Sequence, residues 1–191
     1  MIPLTIDTQR TPQKGDLLLS EPFLDDDHFS RAVILLCETT SDGAFGLILN
    51  QTLDLKLLEF MQNIGKFDSI VGIGGPVDQE QLFFIHSFPD LTATISISDN
   101  FYLGGDFEEL IKKVEAGIYP SDEVRFFIGY TGWSEGQLQE EIAEKTWIVT
   151  KPPANFSVYN TKDDQLWEII LKSLGGKYKQ MASFPINPNE N

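Results

Sequence analysis

Cysteine is almost absent from the 191 residues: Cys37 stands alone. That excludes a disulfide framework, and its place in the apolar run Ala32-Val33-Ile34-Leu35-Leu36-Cys37 makes it a small core residue rather than a redox group. Histidine is nearly as scarce, with His28 and His86 alone, so a mechanism that needs an imidazole base has two places to find one. No run of about 18 apolar residues occurs. The opening MIPLTIDTQR has neither the basic start nor the apolar stretch of a secretion signal. A cytoplasmic protein without membrane contact is therefore expected. Cations are also few: 14 Lys and Arg against 29 Asp and Glu leave a formal net charge of -15. A field of that sign repels nucleic-acid phosphates. Lys151, Lys162, Lys172, Lys177 and Lys179 lie too far apart in sequence to form a basic stripe.

Apolar residues, by contrast, are plentiful. With 41% hydrophobic residues and 14 Phe, the chain can fold as one compact domain that buries roughly 70% of its unfolded surface. No internal repeat or linker divides it. The expected organisation is a loose segment over residues 1–14, one domain over 15–181 and a disordered Pro- and Asn-rich tail over 182–191. Short strands are predicted over 16–20, 31–38, 45–50, 69–73, 82–87, 92–97, 124–130 and 147–150. The second and third are joined by the turn at Ser41-Asp42-Gly43. Helices are predicted from an Asp54 cap to Ile64, from an Asp106 cap to the stop at Gly117, from Ser134 to about Lys145, and from Thr161 to Leu174. Strands outnumber helices without alternating with them, which indicates an α+β fold rather than a doubly wound parallel sheet.

The sharpest chemical signal is Tyr130-Thr-Gly-Trp-Ser-Glu-Gly-Gln-Leu138, a G-x-S-x-G run between a predicted strand and a predicted helix. A nucleophile elbow has that order, with Ser134 as the nucleophile. Acyl transfer also needs a base, and both histidines precede Ser134, against the chain order of α/β-hydrolases; His86 is the first to consider in a convergent arrangement. A structural account explains more of the run. Ser134 as helix cap places Gln137 at the third helical position, completing a capping box, while Trp133 and Leu138 form a hydrophobic staple. Gly132 would then supply the turn.

Asp25-Asp26-Asp27-His28 imitates a metal site, but Phe29 and Ser30 break the calcium-loop pattern and a solvated acidic loop fits better. Gly72-Ile73-Gly74-Gly75 imitates a phosphate loop, yet no Lys-Ser/Thr follows and Pro76 removes a backbone donor. No metal and no cofactor are implied.

Several segments together carry a resemblance: Arg31 to Glu38, Gly43 to Asn50, Gly74-Gly-Pro-Val77, Leu82 to His86, and Gly129 to Leu138. In order and spacing they resemble the YqgE/AlgH family, over residues 15–175. The resemblance implies a single α+β domain of bifurcated, coiled, mostly antiparallel β-sheets with flanking α-helices, in a bacterial cytoplasmic protein without an established enzymatic activity. One branch of that family carries the label of transcriptional regulator. The slot of Ser134 accepts other residues in the family pattern, which suits a cap better than a nucleophile. This chain departs from the pattern at Ser20, where a small apolar residue is common, and over its tail.

Mapped onto the sequence, the family motifs leave Arg31, Asn50, His86, Tyr130, Trp133 and Gln137 beside the turns at Gly74-Gly75 and Gly132. Such residues suit a cleft for a small molecule, a peptide or a protein partner. Each also has a structural reading: a strand end, a turn residue, a satisfied core histidine. Three functions stay open: a non-catalytic binding or regulatory protein, a small serine hydrolase using Ser134, and a transcriptional regulator acting through a partner. Direct DNA contact conflicts with the charge. Fluorescence anisotropy against genomic fragments at physiological salt is expected to give no sequence-specific complex, because too few clustered cations are present to release counterions. A sub-micromolar complex resistant to competitor DNA would contradict that expectation.

Overall fold

The apolar run that begins at Ala32 forms the middle of a sheet. The structure, a computed structural model, describes residues 10–61, 64, 67, 69–154, 156–159 and 163–185. Strand β1 (Leu17–Ser20) lies between β2 (Val33–Thr40) and a strand from much later in the chain, Trp147–Thr150; β2 forms the expected hairpin with β3 (Gly43–Ile48). Alternate residues point to opposite faces of a strand, and here both faces are covered. Leu17, Leu19, Val33, Leu35 and Leu47 pack with Trp167, Ile170 and Leu171, while Leu18, Ile34, Leu36 and Ile48 pack with Trp133, Leu138 and Ile142. That is why these strands read as continuous apolar runs. Each fully buried aliphatic side chain contributes about 1.5–3 kcal/mol. Cys37 sits at a bulge between Leu36 and Glu38, and burial pushes its thiol well above the ordinary value. Ser20 is fully buried. Its hydroxyl accepts from the Ala32 N–H at 3.0 Å, and its carbonyl accepts from the Trp167 indole at 3.0 Å.

Strands β4 (Thr52–Lys56), β5 (Ile70–Ile73) and β6 (Val77–His86) follow, with the single turn α1 (Leu57–Phe60) between the first two. A second meander, β7 (Ile95–Ser98) and β8 (Phe101–Leu103), leads to α2 (Phe107–Glu115). As expected, Asp106 caps that helix, accepting from the Glu109 N–H at 2.9 Å, and Leu110 and Val114 point into a second core with Phe84 and Phe126. Then come β9 (Val124–Ser134), α3 (Gln137–Ala143), β10 (Trp147–Thr150), α4 (Leu166–Leu174) and α5 (Gly176–Met181). The sheet order is β10-β1-β2-β3-β9-β6-β8-β7, with β4 paired to β5 and β5 to β9. The fold is therefore α+β with a bifurcated, mostly antiparallel sheet; β5 and β9 run parallel. No helix among the described residues is long and apolar enough to cross a membrane.

Three expectations are corrected. Asp54 does not cap a helix: Thr52-Leu-Asp-Leu-Lys56 alternates polar with apolar, and that two-residue period places it as β4 against β5. The expected stop at Gly65 lies outside the described residues. The strand expected to end at Tyr130 continues to Ser134, because the β3 backbone pairs with it through Gly43↔Ser134. The last helix begins at Leu166 after a 3-10 turn at Asp163–Gln165, and Gly175 separates it from α5. At the chain ends, residues 1–9 and 186–191 lie outside the described residues. Arg10 pairs with Asp16 at 2.8 Å, Ala182 is buried, and the Phe184 ring stacks on Phe23 at 5.4 Å.

The branch of the sheet is set by glycines. One edge of β9 pairs with β6, from Val124↔His86 to Tyr130↔Val77; the other pairs with β5 at Phe127 and Ile128, then with β3 from Thr131 to Ser134. Gly74 stands where β5 gives way to β3. Its N–H donates to the Ile128 carbonyl at 2.8 Å, and its carbonyl accepts from the Ile48 N–H at 2.9 Å and the Thr131 hydroxyl at 3.2 Å. A Cβ on Gly74 would lie 2.3 Å from the Gly129 carbonyl oxygen, and one on Gly75 would lie 2.2 Å from that of Tyr130. Urea denaturation should therefore show Gly75→Ala losing at least about 3 kcal/mol. Gly117→Ala, at φ 71 but with nothing within 4 Å of its Cβ, should lose only about 1 kcal/mol. Equal losses would mean that close approach is not what the branch requires.

Candidate binding groove at the branch of the sheet

Beside the branch, one face of the sheet carries an open groove of about 660 Å³. Its floor is aromatic. The Phe45 ring from β3 lies 5.0 Å from Tyr130 on β9 and 5.5 Å from Phe83 on β6, and those two rings are 5.8 Å apart. Glu38, Phe45 and Gly132 form one cross-strand row, and Gly132 contributes no side chain to it. A Cβ there would meet the Tyr130 ring at 3.0 Å, so the glycine keeps the floor open. The rim comes from the β2–β3 hairpin, with Glu38 and Asp42, and from β6, with Val77, Asp78 and Gln81. Between Val77↔Tyr130 and Leu82↔Ile128, β6 advances five residues while β9 advances two. The extra residues form a wide bulge, with Asp78 at φ 55, that pushes the polar run Asp78-Gln-Glu-Gln81 outward.

Of the residues expected at a site, the fold brings Tyr130 and Trp133 to this groove, with Gly74 and Gly75 packed behind the Tyr130 backbone. Trp133 is only 6% exposed; its indole N–H donates to Glu141 at 2.8 Å, and the same carboxylate oxygen accepts from Trp147 at 2.7 Å. Gln137 lies beyond the end of β9. Its side-chain oxygen accepts from the Ser134 N–H at 3.0 Å, and its amide donates to Glu141 at 3.0 Å. Arg31 and Asn50 form a separate clasp at the other end of β2. Asn50 donates to the Arg31 carbonyl and accepts from the Val33 N–H, both at 2.8 Å. The Arg31 guanidinium lies 4.8 Å over Trp167 and donates to the Phe184 carbonyl. His86 belongs to the far end of β6.

Ser134 is not the N-cap of α3. It is the last residue of β9, and Gly136, at φ 77, takes the cap position. Half of the expected reciprocal arrangement exists, since Gln137 reaches back to the Ser134 N–H. The hydroxyl, however, donates to Gln137 at 3.2 Å instead of accepting from a helical N–H. Gly132 lies within the strand and makes no turn. The elbow geometry is thus missing, and among the described residues neither histidine stands beside Ser134. His86 pairs with Val124 at the first residue of β9, whereas Ser134 is the last, a separation on the order of 30 Å at strand rise. His28 makes no hydrogen bond with Ser134 among the described residues; the Asp26 carboxylate caps its loop by accepting from the His28 and Phe29 N–H groups. Among the described residues, no three His, Cys, Asp or Glu side chains cluster as a metal would need.

The sequence profile of the AlgH-like family matches residues 17–179. This chain belongs to the YqgE/AlgH family. It is 37% identical over 180 residues to a UPF0301 protein of Cytophaga hutchinsonii, covering 93% of this chain and 98% of that one. It is also 37% identical over 181 residues to a UPF0301 protein of Bacteroides thetaiotaomicron, covering 94% and 92%. Among solved structures, the AlgH protein from Pseudomonas aeruginosa superposes with a TM-score of 0.70, covering 93% of this chain and 97% of that one at 21% identity. A Corynebacterium diphtheriae protein gives 0.71, covering 92% and 94%, also at 21%. These two likenesses establish the fold.

Sequence reasoning missed Glu38, Asp42, Phe45, Asp78 and Phe83 in this AlgH-like chain. One signal was available: the polar run 78–81 interrupts an otherwise apolar strand, as an outward bulge does. His86, in contrast, is held within the fold. Its ring is fully buried; Nδ1 accepts from the Phe88 N–H at 3.1 Å, which leaves the proton on Nε2, donated to the Gly104 carbonyl at 2.8 Å. Burial lowers its pKa below the ordinary 6.5, partly offset by the Gly104 bond, which favours the charged form. With the folded value depressed, the unfolded chain takes the proton first. The contribution of His86 to stability is whole above pH 6.5 and declines as pH falls from there through the folded value. Thermal melts between pH 7.5 and 5 should show this loss, and it should shrink in His86→Gln; an unchanged slope would place the acid sensitivity elsewhere.

Proposed function

We propose that this AlgH-like protein is a non-catalytic binding protein of the cytoplasm, which holds a small molecule or a segment of a partner in the groove over Phe45, Phe83 and Tyr130. The observation that carries this reading is the aromatic floor left uncovered by Gly132, on strands fixed by the branch of the sheet. A groove of about 660 Å³ falls within the size range of ligand sites, which pair apolar walls with a few placed polar groups. Any regulatory role, including one in transcription, would then act through the bound partner, in keeping with the net charge of -15. The hydrolase alternative gains no support: the Ser134 hydroxyl is engaged by Gln137 and stands far along β9 from His86.

The test is an amide NMR titration against a panel of metabolites and short peptides. Binders should shift residues 43–45, 77–83 and 130–133, and filling the floor with Gly132→Leu should abolish those shifts while the variant keeps a cooperative melt. Binders that shift only residues remote from the groove would refute the assignment. So would stoichiometric fluorophosphonate labelling of Ser134 that disappears in Ser134→Ala, because it would make the protein an esterase.

A further inference from the structure

Resting on the reading of the groove as the binding surface, we propose that its occupant is an internal segment of another protein chain that presents arginine side chains. Charge and aromatic chemistry coincide there. Glu38, Asp42 and Asp78 are exposed at the rim, and none is in an ion pair among the described residues. Some carboxylates elsewhere in the fold do have cations, among them Asp16 with Arg10 and Lys151, Glu109 with Lys113, and Glu168 with Lys172. Among the described residues, no Lys, Arg or His lines the groove.

Cations of this chain do lie over some aromatic rings elsewhere. Trp167 carries Arg31 at 4.8 Å, Tyr119 carries Lys113 at 4.7 Å and Phe127 carries Arg125 at 5.3 Å. Phe45, Phe83 and Tyr130 line the same groove as Glu38, Asp42 and Asp78, with no cation of this chain over them among the described residues. A planar guanidinium suits both partners at once, because it lies flat on an aromatic face and still pairs bidentately with a carboxylate at its edge. The net charge of -15 adds long-range steering toward a basic partner.

The same features narrow the source of the cation. A free amino acid, a nucleotide or a peptide C-terminus carries an anionic group, and the lining offers no cation to receive one. The groove, at about 660 Å³, exceeds what one arginine side chain fills, which suits several residues of a continuous chain.

The probe is acetyl-Gly-Arg-Gly-Arg-Gly-amide, with citrulline and glutamate counterparts and spermidine as comparisons, titrated at about 0.15 M ionic strength. The arginine peptide should shift residues 43–45 and 78–83. The citrulline peptide should bind at least about tenfold more weakly, and the glutamate peptide should not bind. Glu38→Gln with Asp78→Asn should weaken the arginine peptide roughly tenfold, and Tyr130→Ser roughly three- to tenfold. Both variants should melt within a few degrees of the parent; where Tyr130→Ser does not, the isosteric carboxylate pair carries the test alone. Equal binding of the citrulline peptide would overturn the proposal and leave the groove standing, provided Gly132→Leu still abolishes it. Tighter binding of spermidine at the same residues would replace the protein segment by a small polyamine. No binding by any of these probes at millimolar concentration would overturn the arginine assignment, while the panel of metabolites and peptides decides the groove.

Discussion

One strand is asked to pair with three others, and the rest of the molecule follows from how its backbone manages that. Along one edge β9 keeps β6 from Val124 to Tyr130; along the other it exchanges β5 for β3 between Ile128 and Thr131. A flat sheet has no room for such an exchange, since two strands cannot occupy one edge. Gly74 resolves it by donating its N–H to β9 and accepting at its carbonyl from β3 and the Thr131 hydroxyl, so both of its own backbone groups are paired at the junction. The cost is steric, and three chain segments come within backbone contact distance there.

Because the strands diverge at that junction, the two halves of the sheet acquire separate cores. One is covered by α2 and centred on Phe84 and Phe126; the others sandwich β1, β2 and β3 between α4 and α3. Glu141 secures the second half by accepting from both Trp133 and Trp147, which ties the end of β9 to β10 through a single carboxylate oxygen. The groove lies where the halves part, and its aromatic residues come from β3, β6 and β9, the strands that meet at the branch.

Much of this architecture was legible in the chain, and the exceptions have physical causes. The hairpin of β2 and β3, the Asp106 cap and the strand character of residues 70–73 and 147–150 depend on local patterns, and those patterns hold. The extension of β9 through Gly132 to Ser134 depends on β3, some ninety residues earlier in the chain, and strand pairing overrides the weak intrinsic preference of glycine and serine for a strand. The site was harder still. Tyr130 and Trp133 were visible as aromatic residues near glycines, but Glu38, Phe45, Asp78 and Phe83 become neighbours only when three distant segments are laid side by side. Arg31, Asn50 and His86 lie away from the groove, and Asn50 and His86 bond to backbone groups; a polar side chain that serves a turn or a core carries the same sequence signature as one that serves a ligand.

The bulge of β6 separates two requirements that most strands must meet together. Residues 78–81 add no paired positions between Val77↔Tyr130 and Leu82↔Ile128, so the alternation that governs inside and outside elsewhere in the sheet does not bind them. Their side chains can be exchanged, and even their number altered, without shifting the register of Leu82 to His86 against β9. Variation at the rim is thereby released from the demands of the core, which gives a lineage of such proteins a short segment in which the surface can drift while the fold beneath it stays fixed.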